Sequence, residues 1–179
     1  MKDITPEIGA ALGLLKSGKT VAAEECLLAY SRRAPTDPAG WYLLGAALHA
    51  QGRTASALAR MERSLDLAPD QPEVLKATAM LCQELKRYRA GLLRAERACS
   101  LAPEDLYAWL AAGSLLETLK RGEEALLCYE MALARDPGWP PALLNRGALL
   151  MGLGRHRLAR ENFLSLVRLH PEQADAHFN

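Results

Sequence analysis

Aromatic side chains are scarce. The 179-residue chain has two Phe, and Ala and Leu dominate a composition that is 50% hydrophobic. Such a core is helix-forming material. Charge of one sign is scarce too. Twenty-two Lys and Arg stand against 21 Asp and Glu, for a formal net charge of +1 and a pI near 7.7, which excludes a global pull toward nucleic acid or an anionic membrane. No apolar run reaches 18 residues, so no membrane span is expected. The apolar stretch 8–15 is short for a signal peptide and follows closely on Asp3 and Glu7. Cys26, Cys82, Cys99 and Cys128 show no C-x-x-C or other ligand spacing, and each falls in a predicted helix. They read as small reduced core residues of a cytoplasmic protein. No Gly/Ser-rich linker or low-complexity tract interrupts the chain, so a single domain over 1–179 is expected.

The stretch 41–69 organises the rest. Trp41, Leu44, Gly45 and Leu48 fall at i, i+3, i+4 and i+7, one face of a helix, and Ala57 and Met61 open a second apolar face after the turn at Gly52. This is a helical hairpin closed by Pro69. The closing proline recurs at Pro35, Pro69, Pro103, Pro137 and Pro171, every step 34 residues. A small residue on the first helix recurs in phase as Ala11, Gly45, Ala79, Gly113 and Gly147, and its partner on the second helix as Ala23, Ala57, Gly91, Ala125 and Ala159. The period and the W-x2-L-G…A-x3-F…P pattern resemble the tetratricopeptide repeat (TPR) family, with Trp109-x2-Ala112-Gly113…Ala125-x3-Tyr129…Pro137 the second clear copy. The resemblance implies an all-α, right-handed α-solenoid of five helical hairpins, with repeats at 4–37, 38–71, 72–105, 106–139 and 140–173 and the start of a sixth at 174–179.

Helix starts are written in the turns. Thr5-Pro6-Glu7 sets a capping hydroxyl, a first-turn proline and a carboxylate at the positive end of the dipole. Asp37-Pro38, Asp70-Gln71-Pro72 and Pro140-Pro141 repeat the device. The third repeat is the weakest match, with Leu75, Thr78, Ala79 and Cys82 at the first-helix positions and Ala95 in place of the aromatic.

Gly13-Leu14-Leu15-Lys16-Ser17-Gly18-Lys19-Thr20 matches the phosphate-loop pattern G-x4-G-K-[ST]. That motif needs a buried strand before it, and the residues before Gly13 carry a helical period instead, so Gly18 is read as the interhelical turn it shares with Gly52 and Gly154. His49, His156, His170 and His177 lie one per element without metal-ligand spacing, and Glu123-Glu124 suits a helix's first turn better than acid–base work. No catalytic residue, metal or cofactor is expected. Lys86-Arg87-Tyr88-Arg89 with Arg94 and Arg97, and the group Arg155, Arg157 and Arg160, read as solvated faces offset by acidic neighbours.

The function implied is therefore a non-enzymatic scaffold that takes a protein or peptide in a groove lined by the first helices. Rotation away from the hairpin partner selects Ile8 and Leu12, then Tyr42, Leu43, Ala46 and His49, then Lys76, Met80 and Gln83. Tyr107, Leu110 and Ser114 follow, then Leu144, Asn145 and Met151. Adaptable methionines and tyrosines suit a laid-in peptide or helix. The carboxylate clamp of chaperone-binding TPR domains is absent, since Ile8, Leu12 and Ala77 stand at its positions. Of the asparagine ladder of glycosyltransferase TPR arrays only Asn145 and Asn179 match. An array recruiting substrate to such an enzyme is the alternative. A homodimer through the C-terminal end, using Phe163, Leu166, Val167 and Phe178, is a further expectation.

Overall fold

A computed structural model describes residues 5–171, which form α-helices and, among the described residues, no strand. Packing groups the chain into two compact units, Met1–Arg87 and Tyr88–Asn179, and the division falls inside the third repeat, the one with the weakest signature.

In the first unit the helices are α1 (Pro6–Lys16), α2 (Thr20–Arg33), α3 (Pro38–Ala50), α4 (Thr54–Leu67) and α5 (Pro72–Glu84). Ala11, Ala23, Leu27, Leu44, Ala47, Leu48, Ala57, Leu58 and Met61 close its core, and Leu81 and Cys82 join them from α5. The second unit contains α6 (Tyr88–Leu101), α7 (Leu106–Thr118), α8 (Gly122–Leu133), α9 (Pro140–Gly152) and α10 (His156–Leu169). Ala112, Leu115, Leu116, Ala125, Leu126, Tyr129, Leu149 and Leu150 are buried within it.

The 34-residue register has a physical cause at three places. The first is the helix-to-helix turn, where the chain must take a left-handed backbone. Gly18, Gly52 and Gly154 do so with φ between 72 and 76°, and Lys86 and Lys120 do so at the same register with φ of 58 and 63°. The second is the hairpin crossing. A Cβ on Gly45 would lie 2.6 Å from Met61, and one on Gly147 would lie 2.5 Å from the Phe163 ring; only glycine lets these helices approach so closely. The third ties the tryptophan to the closing proline. Trp41 Nε1 donates to the Pro35 carbonyl at 2.9 Å and Trp109 Nε1 to that of Pro103 at 2.8 Å, so the pair recurs six residues apart because the indole fixes the entry to its helix.

The caps follow the sequence with two corrections. Thr5 caps α1, Asp37 caps α3 and Asp105 caps α7 through side-chain oxygens. At α9 proline opens the helix after Trp139 with no side-chain cap bond. At α5 Pro72 and Glu73 stand in the first turn as expected, but the N-cap is Gln71, with no side-chain cap bond. Its amide donates instead to the Ala68 carbonyl at 2.7 Å and to Ser64, holding the preceding loop.

Candidate functional site

In the first unit the predicted groove residues separate into core and surface. Ile8 is only 7% exposed and belongs to the core. Leu12, Leu43 and Ala46 are half-buried against the same cluster. Tyr42 is half-buried, and its phenol is pushed up by burial first and by the Glu73 carboxylate second, with Lys76 opposing. Lys76 Nζ lies 3.7 Å from Glu73. His49 Nε2 meets Glu84 at 2.9 Å, and Thr54 Oγ1 donates to the same carboxylate at 3.0 Å. Gln83 is half-buried, and Met80 is left as the large exposed apolar side chain of this face. The α3–α5 face is thus laced with polar pairs.

The second unit presents a different surface. Tyr107, Leu144 and Met151 are 60, 42 and 50% exposed on α7 and α9, which pack together. Leu110, Ser114 and Asn145 are half-buried between them. The Tyr107 ring is fixed edge-on to Trp139, centroids 5.1 Å apart. Next to this face lies a cavity of about 250 Å³ lined by Glu117, Lys120, Gly122, Ala148, Leu149, Gly152 and Leu153. Glu117 accepts from Tyr129 Oη at 3.2 Å. Burial, then the Glu117 charge, raises the Tyr129 phenol far above its ordinary range, against a hydrogen bond with Asn145.

Of the residues expected at a dimer surface, Leu166 is buried at 9% exposed, and Phe163 is half-buried with its ring on Gly147. Val167 is exposed, with Leu164 and Leu169. Phe178 lies outside the described residues, as do His177 and Asn179.

A polar cluster escaped the sequence reading. Arg146 occupies the register of Leu44, three repeats on, where a core aliphatic is the rule. Its Nη1 donates to Asn162 Oδ1 at 3.2 Å and its Nη2 to Glu130 at 3.2 Å, while Asn162 Nδ2 donates to the Leu143 carbonyl at 2.5 Å. The signal was the out-of-place arginine, which looks like surface in a lone helix.

Burial pushes the Cys99 thiol up to about 12 and that of Cys128 to about 11, so both stay protonated and unreactive at neutral pH. Among the described residues no group of three or more His, Cys, Asp or Glu is placed to hold a metal. The glycine-lysine-threonine stretch is helix, turn, helix: Gly13 lies within α1 and Thr20 opens α2. Some arginines of the basic groups serve local contacts, Arg155 to Glu123 at 2.7 Å and Arg94 to the Ala90 carbonyl at 3.1 Å. No described helix is long and apolar enough to cross a membrane.

Solved structures share this architecture. MamA (residues 41 to the end) from Desulfovibrio magneticus RS-1 superposes with a TM-score of 0.88 at 21% identity, covering 97% of this chain and 98% of that one. YrrB, described as a TPR protein with an unusual peptide-binding site, gives 0.82 at 19% identity, covering 94% and 87%. PilF of Pseudomonas aeruginosa gives 0.80 at 20%, covering 96% and 84%. No curated protein matches the sequence. The family model described as tetratricopeptide repeat matches residues 8–72, 79–140 and 144–179. With nearly the whole length matched, an all-α repeat solenoid and a 34-residue register kept by glycines, tryptophans and prolines, the chain belongs to the tetratricopeptide repeat family.

Proposed function

We propose that the chain is a protein-interaction scaffold without chemistry of its own, and that the α7–α9 face holds an apolar peptide or helical segment. The observation that carries this is the exposure of Tyr107, Leu144 and Met151 on packed neighbouring helices, apolar side chains that water solvates poorly and a partner would cover. Edge-on packing against Trp139 fixes the Tyr107 ring in advance, which lowers the ordering cost of binding. Met151 supplies an adaptable contact. The corresponding α3–α5 positions are occupied by the Lys76–Glu73 and His49–Glu84 pairs, which leave less apolar area on that face. Four free cysteines support a reducing, cytoplasmic setting.

Selection from a displayed random-peptide library, followed by fluorescence anisotropy with the enriched peptide, tests the reading. Tyr107→Ala and Leu144→Ala together should weaken binding by at least about tenfold with the helical content unchanged. Enriched peptides whose affinity ignores both substitutions would place the partner site elsewhere.

A further inference from the structure

The second unit has another exposed apolar position, and its surroundings identify what covers it. Leu93, at 70% exposed, is the most open large hydrophobic side chain among the described residues. It lies on α6 with Arg89 one turn before it and Glu96 one turn after it. All three border a cavity of about 520 Å³ whose other walls are Leu92, Leu119 and Arg121. Arg121 is committed to Glu124 by two short bonds of 2.7 and 2.6 Å. Neither Arg89 nor Glu96 forms a hydrogen bond or ion pair among the described residues. The face therefore offers a cation, a leucine and an anion at i, i+4 and i+7, in a row along one helix.

We propose that this face of α6 docks against α6 of a second copy of the chain, antiparallel about a two-fold axis. A two-fold axis sets each residue opposite its mirror position in the row, so the row must complement its own reverse. Placing Arg89 opposite Glu96 of the second copy puts the axis midway between positions 89 and 96. At 1.5 Å rise per residue, Leu93 then falls within about 1 Å of that axis. The two leucines meet at the centre, each beside the other's cleft against Leu92 and Leu119, and two Arg–Glu pairs flank them.

The same register on the other second helices does not do this. On α8 the row is Glu123, Leu127 and Glu130, two like charges about an exposed leucine, and both acids are engaged, with Arg155 and with Arg146. On α2 it is Val21, Glu25 and Leu28, on α4 it is Ala55, Ala59 and Glu62, and on α10 it is Arg157, Glu161 and Leu164. Only the α6 row is complementary to itself. A partner of unrelated sequence has no reason to require that property. The surface also differs from the exposed end of α10, where Arg160 stands at the register that Leu58, Leu92 and Leu126 fill with buried leucine.

Sedimentation velocity on the full chain tests the proposal. The wild type should form a dimer with a dissociation constant of micromolar order, and Leu93→Glu should be monomeric up to about 100 µM with unchanged thermal unfolding. Arg89→Glu and Glu96→Arg should each weaken the dimer at least about tenfold, and the double charge swap should return it to within about threefold of wild type. Rescue by the double swap is the mark of self-pairing, which neither a folding defect nor a foreign partner reproduces. Val167→Glu on α10 should leave the dimer intact. A wild type monomeric at 100 µM, a dimer that survives Leu93→Glu, a swap that fails to rescue, or a dimer dissolved by Val167→Glu would each overturn the proposal. So would a monomeric chain whose Leu93 instead binds an added amphipathic helical peptide.

Discussion

The α3–α4 and α9–α10 hairpins occupy the same register and solve the same packing problem with different chemistry. In α3–α4 the crossing is dry: Leu44, Ala57 and Leu58 are buried, and Met61 lies on Gly45. The one polar group admitted, Ser64 Oγ, is satisfied at once by the Pro38 carbonyl at 2.8 Å. In α9–α10 Arg146 stands where Leu44 does, Leu143 where Trp41 does, and Phe163 on Gly147 replaces Met61 on Gly45. The arginine survives there only because Asn162 and Glu130 close its hydrogen bonds, and its Nε still has no partner. The register thus dictates where a helix must be small and where it must be large. It leaves the polarity of the filling free, provided the polar groups answer one another.

The strongest way to break the comparison is to open the polar filling. Asn162→Ala removes the donor to the Leu143 carbonyl and the acceptor for Arg146 in one step, and should cost about 3 kcal/mol. Arg146→Leu with Asn162→Leu should cost far less than the single change, since a well-packed apolar replacement of a buried polar pair is commonly neutral or stabilising. Urea denaturation of the three proteins decides it; a double variant weaker than Asn162→Ala would show that the network carries stability by itself.

Next in size is the crossing. An alanine at 147 would push a methyl into the Phe163 ring and within 2.9 Å of Asn162 Nδ2, both hard to displace. An alanine at 45 meets the Met61 chain at 2.6 Å and the Ala57 backbone carbonyl at 3.0 Å, so only part of its obstacle is flexible. Gly147→Ala should therefore cost about 2–3 kcal/mol and Gly45→Ala about 1–2, each net of alanine's better helix propensity. Phe163→Leu in the Gly147→Ala background should recover part of the loss; no recovery would mean that the ring is not the obstacle.

These residues also show what the sequence could reveal. The hairpins and their period were legible because close approach demands small residues at fixed spacing, a demand each repeat states openly. The exposure of Tyr107, Leu144 and Met151 follows from helical rotation once the crossing is known. Ile8 and Leu166 are buried instead because a helix turns large apolar residues both toward its partner and away from it, and composition cannot say which direction is covered. Arg146 depends on a partner 16 residues off, which no single-helix pattern displays.

The indole is a smaller difference between the two hairpins. Trp41 is half-buried, with its ring under Arg60 at 5.6 Å and its Nε1 on the Pro35 carbonyl. Trp41→Phe keeps most of the apolar contact and loses that bond, for about 1 kcal/mol, and Trp41→Ala should cost about 2–3, below the figure for a fully buried aromatic. Equal losses for Phe and Ala would assign the whole effect to the hydrogen bond.

The smallest effect concerns the turns. Both compared hairpins turn through a left-handed glycine, Gly52 or Gly154, whereas Lys86 and Lys120 hold the same conformation with a side chain attached. A Cβ there crowds the following carbonyl and costs roughly 1 kcal/mol relative to glycine, although glycine gives back a part through the freedom of its unfolded chain. Lys120→Gly and Lys86→Gly should each stabilise by about 0.5 kcal/mol, and Gly52→Ala should destabilise by about 1. For a chain of this length these are shifts of about one to four degrees in Tm, so paired melts on one plate are needed. Lys120 also borders the cavity beside the α7–α9 face, together with Glu117. If Lys120→Gly fails to stabilise while Lys86→Gly does, the Lys120 side chain offsets its own backbone cost through a favourable contact in that cavity. If neither does, left-handed strain does not limit stability at these turns.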